Sequence, residues 1–356
     1  MSQMSATTPR LIALATAAPP HDILQEEIAE RAARKFSFNE GGYQWLLPIY
    51  KNAQIRRRHS VVPITWFLEE HSFSERNALF LEHATGILTE LAARTLSQAG
   101  LKAQDIDAIV TVSSSGIATP ALDARLMQRL PFRTDVERSP LFGLGCAGGV
   151  LGLSRATALA RAAPQSRVLL LVIELSTLTF RHQDRSKANL VATALFGDGA
   201  AAAIITCRDD APPSAPRLGP SGEHTWPDSL DIMGWDVTDD GLQVVFSRDI
   251  PTLVREELRG VVDTFLRKHK LSRRDVDEFV CHPGGAKVLD ALEEALELKP
   301  GALVHSREVL REHGNMSSAT VLFILRAALD AGVKGRCLLT TMGPGFTAGM
   351  MIVETA

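Results

Sequence analysis

The stretch "LKAQDIDAIVTV", residues 101–112, returns as "LSRRDVDEFVCH" at residues 271–282. Both copies carry L-x-x-x-D-(I/V)-D-x-(I/F)-V, at an offset of 170 residues, and each follows an amphipathic helical run. An acidic turn feeding a short β-branched apolar run reads as a buried strand entered from a helix. A long-period repeat of this kind implies two units of one α/β design.

Outward from the repeat, apolar strand-like runs alternate with helical periods. "SPLFGLGC" leads into "VLGLSRATALARAA" and then "RVLLLVIEL", and "LIALATAAPP" from Leu11 reads as a buried first strand. Gly145-Cys146 and Gly314-Asn315 stand at an offset of 169, each opening a helical run, so cysteine and asparagine are expected at equivalent stations. Glycine turns lead into a closing strand in each half, "FGDGAAAAIIT" from Phe196 and "MGPGFTAGMMIVE" from Met342. Between the halves, residues 207–226 are dense in Pro, Gly and Ser and read as a junction. The expected units are 1–212, carrying the cysteine, and 213–356, carrying a histidine and the asparagine, related by a pseudo-twofold axis.

Composition narrows the function classes. The chain has 356 residues, 45% hydrophobic and 22% charged, with 38 Lys plus Arg against 41 Asp plus Glu. A near-balance of charge gives no footprint for nucleic acid or an anionic membrane surface, so a small-molecule substrate is the default. Cys146, Cys207, Cys281 and Cys337 are far apart and follow no C-x-x-C spacing, which points to free thiols in a reducing cytoplasm and to no metal site. No run is long enough for a membrane span, and the N-terminal apolar run is a poor signal peptide.

"GLGCAGG", residues 143–149, admits three readings. Free cysteine is often a small buried hydrophobe. The run also satisfies G-x-G-x-x-G, a dinucleotide-binding fingerprint, with Glu174 at the end of the next strand as a possible ribose ligand. Alternatively, a helix start favours negative charge and a thiolate at Cys146. His282 ends the second repeated strand in "CHPGG" and, by strand alternation, points away from Cys281, which is then structural. An imidazolium at His282 would pair with the Cys146 thiolate, and the Asn315 amide would serve an oxyanion formed on a thioester carbonyl. No acid in this trio orients the histidine for hydrolysis, so the set suits acyl transfer.

The stretches "GLGCAGG", "LTFR", "ALFGDGAAA", "CHPGG", "REHGNMSSATVLFIL" and "GPGF" make the chain resemble the type III polyketide synthases, the chalcone-synthase-like branch of the thiolase superfamily, along nearly its whole length. The resemblance implies a thiolase fold layered α-β-α-β-α and a cytoplasmic homodimer. It implies coenzyme A thioesters as substrates, acyl-CoA and malonyl-CoA, with no cofactor, metal or nucleic acid and no stable membrane insertion. Cys146 would carry the acyl chain, while His282 and Asn315 would bind the malonyl thioester oxygen.

The same resemblance places Phe196 at the mouth between the coenzyme A tunnel and the cavity. It places Glu174, Ser176, Thr179, Ser317, Gly343, Pro344, Gly345 and Phe346 around the cavity where chain length and cyclisation are decided. Lys51, Arg56, Arg57 and Arg58 fall near the family's basic coenzyme A phosphate site, with a solvated basic face as the alternative. Val244 stands where plant enzymes usually carry a second gatekeeper Phe, and Thr119 where they send a Met into the partner's cavity. Smaller side chains there imply room for a fatty acyl starter and a likeness to bacterial synthases of alkylpyrones and alkylresorcinols. A ketosynthase III-like enzyme making one extension is the alternative, and a nucleotide-dependent oxidoreductase a more distant one.

Overall fold

The computed structural model describes residues 8–36, 47–247 and 249–356. Its strands are β1 (Arg10–Ala17), β2 (His21–Leu24), β3 (Arg57–Ser60), β4 (Ala108–Val112), β5 (Glu137–Leu141), β6 (Arg167–Leu175), β7 (Asp198–Thr206), β8 (Arg217–Thr225), β9 (Met233–Thr238), β10 (Gly241–Phe246), β11 (Glu278–Cys281), β12 (Gly335–Gly343) and β13 (Thr347–Thr355). Its helices are α1 (Gln25–Phe36), α2 (Leu47–Asn52), α3 (Phe73–Gln98), α4 (Leu122–Leu126), α5 (Gly148–Ala162), α6 (Lys187–Leu195), α7 (Ile250–Leu253), α8 (Arg259–Lys268), α9 (Ala286–Ala295), α10 (Val304–His313) and α11 (Thr320–Asp330).

Nine strands form one sheet in the order β11-β12-β13-β8-β1-β7-β6-β4-β5. At its centre β1 and β8 meet through a single residue pair, Arg10 opposite Arg217. Outward from that seam the order is mirrored, β1-β7-β6-β4 on one side and β8-β13-β12-β11 on the other. The repeated stretches end in β4 and β11, each parallel to its inner neighbour, while the connections to β7 and β13 are antiparallel. The duplication read from the sequence is therefore a duplication of strand order.

Both faces of each half-sheet are covered, which is why β6 is apolar on both faces. Val110, Leu170 and Val172 point inward with Val280 and Leu339 of the other half, onto α5 and α11. Their neighbours Ile109, Leu171 and Ile173 pack outward with Leu88 and Leu91 of α3. On the opposite side Leu338 and Ile352 pack with Val262 and Leu266 of α8 and with Leu289 and Leu292 of α9. The result is five layers, α-β-α-β-α, with α5 and α11 in the middle.

Residues 207–226, expected to be a junction, are only partly so. From Arg217 to Thr225 they form β8, paired antiparallel with β13. Pairing and packing override the weak strand preference of "RLGPSGEHT", and the missing side chain at Gly222 is the room that the Phe265 ring uses. Among the described residues no helix is long and apolar enough to cross a membrane.

Candidate active site

Cys146 lies in the turn Gly145–Ala147 that opens α5, and the equivalent turn of the second half, Ser317–Ala319, opens α11. Gly145 (φ +46°) and Ser317 (φ +47°) are the matching left-handed residues of the two turns. The structural partner of Cys146 is thus Ser318, and Asn315 stands three residues earlier. This corrects the equivalence of Cys146 with Asn315: matching two Gly-x pairs ignored that a serine can hold the left-handed position.

Two contacts bring the second half onto the cysteine turn. A Cβ on Gly343 would lie 2.4 Å from the Leu144 carbonyl oxygen and 2.6 Å from the Ala147 nitrogen, so only glycine permits this approach. The Cys146 thiol donates to the Ser317 hydroxyl at 3.6 Å. Asn315 is buried, its backbone clipped to α6 by N–H donation to Leu195 O (2.8 Å) and by acceptance from Gly197 N–H (3.0 Å). Its side-chain oxygen accepts from Ser317 N–H at 2.8 Å and its amide donates to Gly284 O at 3.2 Å. That carbonyl is two residues beyond His282, so one amide ties the histidine loop to the cysteine pocket. The same amide is also a hydrogen-bond partner of the Cys146 sulfur.

His282 is held by backbone donation to Thr340 O (2.8 Å), and both ring nitrogens are buried without a partner. Burial lowers its pKa to about 3, which makes the ring a neutral imidazole with one N–H to offer. Burial likewise pushes the Cys146 thiol up to about 12, against hydrogen bonds from Ser317 and Asn315 and with the nearby Glu174 carboxyl adding to the rise. In the closed pocket desolvation thus works against the expected thiolate–imidazolium pair. Cys281 points into the outer apolar layer, on the face opposite His282, and its role is packing.

Glu174, expected in the cavity wall, is fully buried and accepts from Ser114 N–H (3.0 Å) and from the Ser318 hydroxyl (2.6 Å). Sealed from solvent between Ser114 and Ser318, it is out of reach of a ribose, which removes the physical basis of the dinucleotide reading. Phe346 turns away from the site as well; its ring stacks on Trp226 in the outer layer, 5.1 Å between centroids. Pro344 stays near, against Gly145, whereas Gly345 offers its carbonyl to the Ser229 hydroxyl. Thr119 is exposed at the surface.

Ser176, Thr179, Phe196 and Val244 line one apolar cavity of about 110 Å³, together with Tyr50, Phe67, Phe180 and Trp235. The room expected from Val244 is partly taken. Trp235 faces Val244 across the β9–β10 ladder, and both the Trp235 and Phe246 rings pack on Phe196, 6.3 and 6.1 Å between centroids. Period-two alternation along "GLQVVF" does put Phe246 on the face of Val244, so that signal was in the sequence.

The basic group separates into three different settings. Lys51 is exposed at the end of α2. Arg56 and Arg57 share Glu312, and Arg57 also pairs with Asp22 at 2.7 Å. Arg58 is buried and donates to the carbonyls of Thr193 (2.7 Å), Phe196 (2.8 Å) and Ala194 (3.0 Å). It caps the C-terminus of α6 and holds the backbone of Phe196, so its charge is not available to a coenzyme A phosphate.

Comparison with known proteins agrees with this architecture. The model for "Chalcone and stilbene synthases, N-terminal domain" matches residues 1–209 and that for the C-terminal domain residues 220–355. The chain is 40% identical to a putative chalcone synthase of Bacillus subtilis, over 96% of this chain and 97% of that protein. It is also 40% identical to a 1,3,6,8-tetrahydroxynaphthalene synthase of Streptomyces peucetius, over 96% of this chain and 92% of that one. The crystal structure of the Streptomyces coelicolor tetrahydroxynaphthalene synthase, a bacterial type III polyketide synthase, superposes with a TM-score of 0.92 at 32% identity, covering 97% of this chain and 99% of that chain. The chain belongs to the chalcone and stilbene synthase family, and it is a type III polyketide synthase of the thiolase fold that condenses coenzyme A thioesters by iterative decarboxylative Claisen chemistry.

Proposed function

We propose that Cys146 carries the growing chain, that His282 and Asn315 form the oxyanion site, and that the starter is an aliphatic acyl group of medium length. The observation that carries this reading is the Asn315 side chain, which touches both the Cys146 pocket and the loop of His282. In the loading step the Cys146 sulfur attacks the acyl thioester, its proton passes to His282, and coenzyme A leaves as the thiol after taking that proton. Malonyl-CoA then sets its thioester oxygen against the His282 N–H and the Asn315 amide hydrogen that the sulfur gives up once it is acylated. Loss of carbon dioxide leaves an enolate on that oxygen, and its carbon attacks the Cys146 thioester, transferring the chain to coenzyme A and returning the sulfur. Neutral donors suit this cycle, since they stabilise the enolate without trapping it as an ion pair.

The apolar lining around Phe196 supports an aliphatic chain. Its small volume, about 110 Å³, argues against the longest fatty acyl starters. Cyclisation then gives an alkylpyrone or an alkylresorcinol. Graded acyl-CoAs with malonyl-CoA, read by mass spectrometry of products, test the reading. Cyclised products with at least two extensions, best from medium chains, are expected; a single extension identifies a ketosynthase III-like enzyme instead.

The mirrored strand order about the β1–β8 seam supports a division into units 1–212 and 213–356. A homodimer is supported by β5, which has a neighbour on one side only and lies beside exposed Phe142. Four buried cysteines, none in a disulfide, suit a cytoplasmic setting.

A further inference from the structure

We propose that the strap of residues 63–70 is the yielding wall of the apolar cavity beside Phe196 and that its Leu68 sets how long an acyl chain the enzyme accepts. This rests on the reading that places the chain in that cavity. Ile64, Phe67 and Leu68 of the strap line it, together with Ile28 and Arg31 of α1. Phe196 is buried whereas Leu68 is 53% exposed, so the cavity reaches the surface at the strap. A leucine standing half in water at the end of an apolar cavity gains burial when an acyl tail covers it, and only a tail long enough to arrive gives that gain. The chain also lengthens at every condensation, so a cavity of about 110 Å³ must enlarge during turnover.

The walls differ in what holds them. The one carrying Trp235 and Val244 is the continuous β9–β10 ladder, packed on the Phe196 ring. The strap instead is a short helical segment, Ile64–Leu68, that contains no buried residue, with Trp66 and Phe67 resting on the outer apolar layer of the first half. It is fixed at its root, where Val61 N–H donates to Asp198 at 3.0 Å, and at its far end, where Ser72 caps α3. Between those points residues 180–183 tie it down. The Leu68 carbonyl accepts from the His182 ring at 3.1 Å, Gln183 donates to the Glu70 carboxylate at 2.9 Å, and Phe67 meets Phe180 edge-on, 5.8 Å between centroids. Trp66 stacks on His71 at 3.9 Å between centroids, which keeps the strap one stiff piece. Hydrogen bonds at the surface contribute little each and open readily. Release of the two ties lets the strap swing outward about its ends while the ladder stays in place.

The test compares the full-length wild type with Leu68→Ala, Leu68→Trp and the double tie variant His182→Ala/Gln183→Ala, using hexanoyl-, decanoyl- and tetradecanoyl-CoA as starters with malonyl-CoA. Product mass spectrometry gives kcat/KM for each starter. L68A and the tie variant are expected to raise the ratio for tetradecanoyl- over hexanoyl-CoA by roughly 3–10-fold, and L68W to lower it by a similar factor, with the KM for malonyl-CoA unchanged throughout. Amide hydrogen exchange across residues 63–70 should be faster in the tie variant. Equal changes for all three starters, or a raised KM for malonyl-CoA, would make the strap a general entrance and overturn the proposal. If the Leu68 variants leave the ratio unchanged while Trp235→Ala shifts it, the chain does lie in the cavity and the strap has no part in its length. If neither position shifts it, the chain lies elsewhere and the reading of the cavity fails together with the proposal.

Discussion

The amide of Asn315 donates to the carbonyl oxygen of Gly284, 3.2 Å away, while its own oxygen accepts from Ser317 N–H at 2.8 Å. One carboxamide thus fixes the histidine loop and the cysteine pocket relative to each other, and it also hydrogen-bonds the Cys146 sulfur. Asn315→Ala removes an oxyanion donor, for which a loss of about 100- to 1000-fold is typical. Malonyl-CoA decarboxylation is expected to fall by that factor while acylation of Cys146 remains detectable. Release of carbon dioxide and intact-protein mass measure the two steps separately, and loss of loading with decarboxylation intact would reverse the roles.

His282 gives a pH dependence with a definite sign. An unfolded histidine binds a proton below about 6.5, whereas the buried ring does so only near 3. Between those values the unfolded chain holds more protons, so stability falls as pH falls through this window. His282→Gln should flatten that slope in denaturant melts. Decarboxylation by the wild type should show no histidine step near pH ~6.5; a clear inflection there would mean that the ring is charged during turnover.

Arg58 separates a structural role from coenzyme A binding. Lysine keeps the charge but lacks the fork that reaches three carbonyls around the end of α6. Arg58→Lys is expected to cost about 2 kcal/mol or more of stability in chemical denaturation and to leave the KM for malonyl-CoA unchanged. A raised KM at unchanged stability would return Arg58 to the phosphate site.

With the starter in the cavity beside Phe196, as proposed, Trp235 is expected to limit its length. Its ring and that of Phe246 close on Phe196 beside Val244, so Trp235→Ala should shift the best starter toward longer acyl-CoAs and Val244→Phe toward shorter ones. Competition between acyl-CoAs of graded length, scored by product mass, checks both. An unchanged preference in both variants would place the starter elsewhere.

Much of the fold was legible because its signals are local. The repeated helix-to-strand stretch marks β4 and β11, and unbroken apolarity in "VLLLVI" marks a strand covered on both faces. What stayed hidden depends on tertiary surroundings. Three consecutive arginines look alike in sequence, yet Arg56 and Arg57 reach Glu312 and Arg58 is sealed under α6. The register of the two active-site turns rests on a positive φ at Ser317, which composition does not announce. Glu174 ended a strand and so suggested a lining or ligand role; only the packing of α11 against β6 shows Ser318 closing on its carboxyl.

In the proposed reading, two copies of one unit deliver a sulfur from the first half and an imidazole and an amide from the second to a single pocket. A crystal structure with a malonyl-CoA analogue that resists decarboxylation measures this directly. The expected result is the thioester oxygen within hydrogen-bond reach of both His282 and Asn315, with the reactive methylene facing Cys146 Sγ. An analogue bound with that oxygen remote from either donor, or with its methylene turned away from the sulfur, would contradict it.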